Sequence, residues 1–302
     1  MPESLAKATL NPAASVEATW KDWFSLIKPE ITFLVAISAL AGFVLGSNGS
    51  IDVWRLIWAM LGILLSSAGG CALNHYLERD YDATMKRTAF RPIPSGRIQA
   101  DHAKWFGMIL VAAGVGILCP LTNPLTGVLS SVTVALYLFV YTPMKRTTVW
   151  NTLVGTIPGA LPVLGGWTAA SGSFGLGGWA IFGVLLCWQM PHFFSLAWMY
   201  KKDYEKGGYV MLTLKDPEGN AISFQMLLFS VGMIGFSVAP VALGLSSWVY
   251  LVGALILGSW FMIPVLRFHY SRSVLHARGV LKASVMYIPL LLLAIIVDRL
   301  VG

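Results

Sequence analysis

Charge is missing from most of this chain, and that absence limits what it can fold into. No Asp, Glu, Lys or Arg occurs in 31–51, 56–77, 105–144, 147–200, 219–266 or 283–297. A helix needs roughly 20 apolar residues to cross the hydrocarbon core of a bilayer. The three longest stretches are interrupted by turn-rich breaks, "CPLTNPLT", "AASGSFGLGG" and "LGLSS", each at about the distance at which one helix would end and another begin. Two helices in each of these and one in each of the others predicts nine spans, near 31–48, 56–77, 103–119, 124–142, 150–168, 177–200, 221–243, 246–266 and 280–299. Composition agrees: only 12% of residues are charged, against about a quarter in a soluble domain. The expected fold class is all-α, a polytopic membrane protein.

Nine spans put the termini on opposite sides, and the cations then sort sharply. Of 21 Lys and Arg, all but Arg55 and Arg299 fall on the N-terminal side, from Lys7 and Lys21 to Lys282. Cationic loops stay cytoplasmic, so the N-terminus is expected in the cytoplasm and the C-terminus in the periplasm. An eight-span chain would spoil this partition. The net charge of +7 follows from the same bias, so no nucleic-acid partner is expected; the partner of the surface is the lipid bilayer. Residues 1–30 lack an apolar signal core and contain no Arg, which argues against a secretory signal or a mitochondrial presequence and favours a bacterial inner membrane. "WKDWFSLIKPE" reads as a short interfacial helix with Trp20, Trp23 and Lys28 in the headgroup layer. Cys71, Cys119 and Cys187 have no metal-type spacing and read as small core residues.

Against this background the stretch "NHYLERDYDATMKRTAFRP" stands out. Asn74, Glu78 and Asp82 are spaced i, i+4, i+8, which on a helix makes one stripe along roughly 12 Å of axis. Asp80 lies about 200° around the helix from Glu78 and is off the stripe. A second cluster, "MYKKDYEKGG", ends the sixth predicted span on the same side, with Asp203 and Glu205 as its acids. Carboxylates brought close repel unless a cation or protons intervene, and Mg²⁺ takes one or two carboxylates and completes its shell with water and phosphate oxygens. Arg87, Arg91, Lys145 and Arg146 are natural phosphate partners beside such a site. The plainer alternative is that loops between spans are simply charged. It suits Lys201, Lys206 and Lys215 better than the Asn74, Glu78, Asp82 stripe.

At these residues the chain resembles the UbiA-type intramembrane prenyltransferases, whose first motif is Asn, three residues, Asp or Glu, three residues, Asp. "NHYLERDYDATMKRTAFRPIPSG", "YTPMKRTTVWNTLVGTIPGALPVLGGW" and "CWQMPHFFSLAWMYKKDYEKGGYVML", with "LIKPEIT" before the first span, carry the likeness, which is strongest to the members that act on haem. The resemblance implies a single membrane-embedded domain over residues 1–302, with nine helices around a central cavity. Residues 1–30 would be a cytoplasmic or interfacial segment, and loops at about 78–102 and 201–220 would cap the cavity. It implies that farnesyl diphosphate, haem B and water give haem O and diphosphate. In that reading Asn74, Glu78, Asp82 and Asp203 are the catalytic residues and bind Mg²⁺, while Arg87, Arg91, Lys145, Arg146 and Lys202 hold the diphosphate. The second motif departs from the wider family, where two acids four apart are usual; here Asp203 is followed by Gly207. That departure is shared by similar haem enzymes.

His192 is the ionisable side chain in the interior of a predicted span, and polar groups at that depth are functional candidates. With haem as acceptor it is a candidate haem contact and candidate axial ligand, with a hydrogen-bonded structural role as the alternative. "GTIPGALPVLGG" in the fifth predicted span suits either close helix packing or a kink that opens the cavity. Expected partners are haem B, farnesyl diphosphate and, further off, a haem A synthase or terminal-oxidase assembly proteins. Two rivals remain: a related enzyme that prenylates a quinone precursor or other aromatic acceptor, and a secondary transporter. Transporters usually carry their ionisable groups near the midplane, whereas these acids gather at helix ends on one side.

Overall fold

The structure, a computed structural model, describes residues 18–47 and 49–301; Lys7 lies outside them. Among the described residues nine helices are long and apolar enough to cross a membrane: Pro29–Gly46, Val53–Asp82, Ala100–Leu121, Pro124–Met144, Asn151–Ser171, Leu176–Met199, Asn220–Ala242, Trp248–Ser271 and Val274–Val301. They are called the first to ninth spans below. A short helix, Trp20–Leu26, precedes them. The chain is all-α and a multi-pass membrane protein.

The turn-rich breaks end the helices as their chemistry requires. In "CPLTNPLT", Asn123 caps the fourth span by accepting from the Thr126 backbone N–H at 3.0 Å, with Pro124 at the first helical position, where no amide donor is needed. In "AASGSFGLGG", Gly172 stops the fifth span with φ 74°, a conformation that favours glycine. In "LGLSS", the Ser247 side chain accepts from Val249 N–H at 3.1 Å and caps the eighth span.

Span order in space follows chain order from second to ninth, and the first span breaks the pattern by lying along the fifth, with the ninth beside it. That long-range packing depends on small residues. A methyl group at Gly42 would collide with the Val163 carbonyl, and one at Gly166 with the Ala39 carbonyl. The "GTIPGALPVLGG" segment therefore packs closely along one face, while Gly155, Pro158, Gly159 and Pro162 on another line a cavity. Lipid supplies no hydrophobic drive between helices, so this close approach of backbones stands in for it.

Two helix lengths differ from expectation in ways that matter. The second span has 30 residues, about 45 Å at 1.5 Å per residue, against a hydrocarbon core of ~30 Å. Its last turns therefore rise beyond the apolar layer, with Asn74, Glu78 and Asp82 still in helical register. The ninth span begins at Val274 rather than near 280, so Arg278 and Lys282 lie on its first three turns.

Candidate active site

The stripe of the second span is buried: Asn74 is 0% exposed, Glu78 3% and Asp82 1%. Each member meets a cation from a different part of the chain. Lys28 Nζ donates to Asn74 Oδ1 at 2.7 Å, Lys145 Nζ to Glu78 Oε1 at 2.7 Å and Arg91 Nη1 to Asp82 Oδ2 at 2.6 Å. Asn74 Nδ2 donates to Thr142 Oγ1 at 3.1 Å, fixing the orientation of the amide. Asp80 points elsewhere; it is largely exposed and pairs with its neighbour Arg79 at 3.7 Å.

Local structure delivers these cations. Lys28 stands between the interfacial helix and Pro29 in a left-handed conformation, φ 48°, an uncommon conformation for a lysine. The turn swings its side chain under the bundle. This corrects the headgroup position expected of Lys28: its stem is half-buried and its ammonium reaches Asn74. The interfacial helix itself is held by Arg97, whose Nε donates to Asp22 Oδ1 at 2.8 Å. Bonds from the Thr19 backbone and Arg97 hold the Asp22 carboxyl at about 2, well below the usual carboxylate range. Lys145 follows a π-helical stretch, Leu136–Tyr141, at the end of the fourth span. Tyr137 and Tyr141, four residues apart and so on one face, both line the large cavity, and the Lys145 ammonium lies 4.6 Å from the centre of the Tyr141 ring.

Burial pushes the Lys28 ammonium down to about 8, and the neighbouring charges of Glu78 and the other cations partly cancel. Burial acts the same way on Lys145, but the Glu78 carboxylate and the surrounding tyrosines outweigh it and hold that ammonium above the ordinary lysine value. Tyr209, whose hydroxyl donates to Glu78 Oε1 at 3.3 Å, is raised by burial and by the Glu78 charge.

Two connected spaces meet at these residues. A polar pocket of about 110 Å³ is lined by Glu78 and Asp82 and by Lys28, Arg87, Arg91 and Lys145. Two carboxylates against four cations leave an excess of positive charge, which suits a polyanion. The four cations also border a much larger cavity of about 970 Å³, which runs past Cys71 of the second span and Pro162 of the fifth to Trp188 and His192 of the sixth. The site is thus a polar head on a mostly apolar body.

The second acidic cluster sits differently. Asp203 is half-buried on a six-residue helix, Lys201–Lys206, and Lys202 and Glu205 are exposed. None of the three lines either space. Arg146 also stays outside both and lies over the Tyr81 ring. The segment nonetheless reaches the site through residues that sequence reasoning missed. Tyr204, Tyr209 and Met211 line the polar pocket, and Val210 is tied to the fourth-span end by its N–H to Lys145 O at 2.7 Å. Asn151 Nδ2 donates to Val210 O at 2.7 Å. Lys28 and Tyr209 each had one available signal, a polar side chain beside a proline and beside a Gly-Gly turn. His192 is in the large cavity as expected for a candidate contact, with Nδ1 at 2.8 Å from Ser284 Oγ.

Among the described residues no group of three or more His, Cys, Asp and Glu forms a ready cation cage. The donor chemistry nevertheless fits one Mg²⁺. Glu78 and Asp82 each commit one oxygen to an ion pair, and the other oxygen of each has no donor among the described residues. A hard cation that takes two carboxylates and fills its shell with water and phosphate matches such a set.

Residues 35–287 match the UbiA prenyltransferase family. The chain belongs to that family. Curated family relatives include the protoheme IX farnesyltransferase of Salinibacter ruber, 54% identical over 92% of this chain and 98% of that one. That of Solibacter usitatus is 42% identical over 92% and 99%. The fold is also that of solved UbiA structures. A digeranylgeranylglyceryl phosphate synthase gives a TM-score of 0.77 at 19% identity, covering 93% of this chain and 98% of that one. A UbiA homologue from Archaeoglobus fulgidus, bound to DMAPP and Mg²⁺, gives 0.64 at 14% identity, covering 91% and 99%.

Proposed function

We propose that this UbiA-family enzyme transfers a farnesyl group from farnesyl diphosphate to a vinyl group of haem B, with addition of water, to give haem O and diphosphate. The observation that carries this reading is the extent of its likeness to protoheme IX farnesyltransferases, 54% identity over 92% of the chain. The cation-lined head joined to a cavity of about 970 Å³ suits an apolar prenyl chain and a macrocycle together. A chain acting as one membrane-embedded unit, with residues 1–30 leading in and the segments near 78–102 and 201–220 as its cap, follows from the same reading.

Each residue then has a task. Glu78 and Asp82, with Asn74, would hold Mg²⁺, and Asp203, which lines neither space in this structure, would add an oxygen from the second cap segment. The ion would neutralise the leaving diphosphate as a Lewis acid. Lys145, Arg91, Arg87 and Lys28 surround the phosphate oxygens and stabilise the charge that develops as the allylic C–O bond breaks; Lys202 and Arg146, which line neither space in this structure, would add positive charge from the cap. Arg87 is steadied by the rings of Tyr200 and Tyr204, 5.5 and 5.9 Å away. The mostly apolar body of the cavity places the allylic cation against the haem vinyl carbon, and water then captures the resulting cation to leave the hydroxyl group. No strong protein nucleophile is required. His192 contacts the haem.

The enzyme is assigned to the bacterial inner membrane with its N-terminus and site on the cytoplasmic side, on the charge asymmetry of its loops. Haem A synthase or oxidase assembly proteins would be its downstream partners. The test is to incubate the purified protein in detergent with haem B, farnesyl diphosphate and Mg²⁺ and to identify the haem by chromatography and mass spectrometry. A hydroxyfarnesylated haem that disappears with EDTA and in Asp82→Asn supports the reading. Unchanged haem together with prenylation of a quinone precursor overturns the acceptor.

A further inference from the structure

Resting on the reading of haem as acceptor, we propose that Ser284 is a positioning residue. It fixes His192 as the Nδ1–H tautomer, so that Nε2 presents its lone pair to the iron of the haem substrate.

A serine hydroxyl has one proton to give. Ser284 Oγ donates it to Leu281 O, 2.7 Å away in the preceding turn of the ninth span. With that proton committed to Leu281 O, the same oxygen is the acceptor toward His192 Nδ1, at 2.8 Å, and this arrangement assigns the ring proton to Nδ1. A neutral imidazole protonated there has an unprotonated Nε2, and Nε2 bonds nothing among the described residues while the ring lines the cavity. Imidazole bound to a metal through one nitrogen generally donates through the other, which fixes the tautomer and raises ligand basicity.

The surroundings hold the ring rigidly. Trp188, one turn earlier on the sixth span, stacks on His192 with centroids 5.2 Å apart and planes at 30°. Its Nε1–H donates to Ser284 O at 2.9 Å, so one ninth-span residue anchors both aromatic rings. Ser284 itself is 0% exposed. It does not touch the cavity and acts only through His192.

The test reads the iron rather than turnover. Wild type, Ser284→Ala, Ser284→Thr and His192→Ala are titrated with haem B without prenyl diphosphate. Affinity is followed by absorption and the ferrous iron–histidine stretch by resonance Raman. Wild type is expected to show the stretch and His192→Ala to lose it. Ser284→Ala should bind haem about 10-fold more weakly, in line with the loss of an outer-shell partner, with the stretch at lower frequency. Ser284→Thr, which keeps the hydroxyl, should restore both. A wild-type stretch and affinity in Ser284→Ala, or a stretch that survives in His192→Ala, overturns the proposal. If wild type converts haem but shows no histidine stretch, only this inference fails. If wild type takes up no haem and prenylates another acceptor, the proposed function fails with it.

Discussion

The two acidic clusters on the cation-rich side of the protein look alike as strings of letters and are opposite as structures. In the second span, Asn74, Glu78 and Asp82 are buried and each is met by a cation. After the sixth span, Asp203 is half-buried, Glu205 is exposed, and neither makes a side-chain ion pair or hydrogen bond among the described residues. The difference lies in what holds the backbone. The first cluster rides the last turns of a 30-residue helix and is pinned by three other segments. The second sits on a separate helix of six residues. In the proposed reading the first cluster is the prebuilt half of the metal site and the second is the half that the rest of the protein does not pin.

The comparison can be broken most sharply by removing an acid from the prebuilt half. Glu78→Gln leaves the Lys145 ammonium buried without its counter-charge, and loss of one partner from a buried pair costs on the order of 3 kcal/mol. Asp82→Asn removes the counter-charge of Arg91, which is partly exposed, at a smaller cost. Both variants are expected to lose activity by about 100-fold or more, the scale for removing transition-state charge stabilisation, and to lower the thermal midpoint even without substrate. A midpoint equal to wild type would show that these pairs hold nothing together.

Asp203→Asn should behave differently in one respect. Activity is expected to fall by roughly 10-fold, the loss typical of a weaker ligand or outer-shell contact, while the substrate-free midpoint stays at the wild-type value. A drop in the midpoint as large as that of Glu78→Gln would make the second cluster as prebuilt as the first.

The smallest effect concerns pH. Burial holds the Lys28 ammonium at about 8, below its unfolded value of 10.5. The folded protein therefore binds fewer protons than the unfolded chain between those values. The cost of burying the charge is present below pH 8 and is relieved as pH rises through that window, so Lys28 makes the fold slightly more stable there. Binding runs the other way, because the diphosphate loses one cation. kcat/KM for the prenyl diphosphate should decline several-fold as pH rises through about 8. Lys28→Arg, which stays charged, should remove that limb, and an unchanged limb in the variant would exclude Lys28 as its source. The Asp22 to Arg97 contact, with Asp22 at about 2, is lost only as pH falls through that value and leaves the profile untouched at working pH.

The nine spans, their approximate limits and the Asn74, Glu78, Asp82 stripe were determined by the sequence itself. Hydrocarbon thickness fixes how long an apolar run must be, and the 3.6-residue turn fixes which polar groups share a face. Both rules act within one segment, so one segment reveals them. Asp80 could be set aside on the same ground. The pairing of Lys28 with Asn74, Lys145 with Glu78 and Arg91 with Asp82 was decided only by tertiary structure. So were the approach of Tyr209 to Glu78 and the junction of His192 with Ser284, 92 positions apart. Periodicity along one helix carries no information about which other helix will face it. Here that choice rests on Gly42 and Gly166 letting the first and fifth spans touch, on a left-handed turn at Lys28, and on a π-helical stretch before Lys145. No pattern of apolar and polar residues announces such features, because their effect exists only once a neighbouring helix is in place.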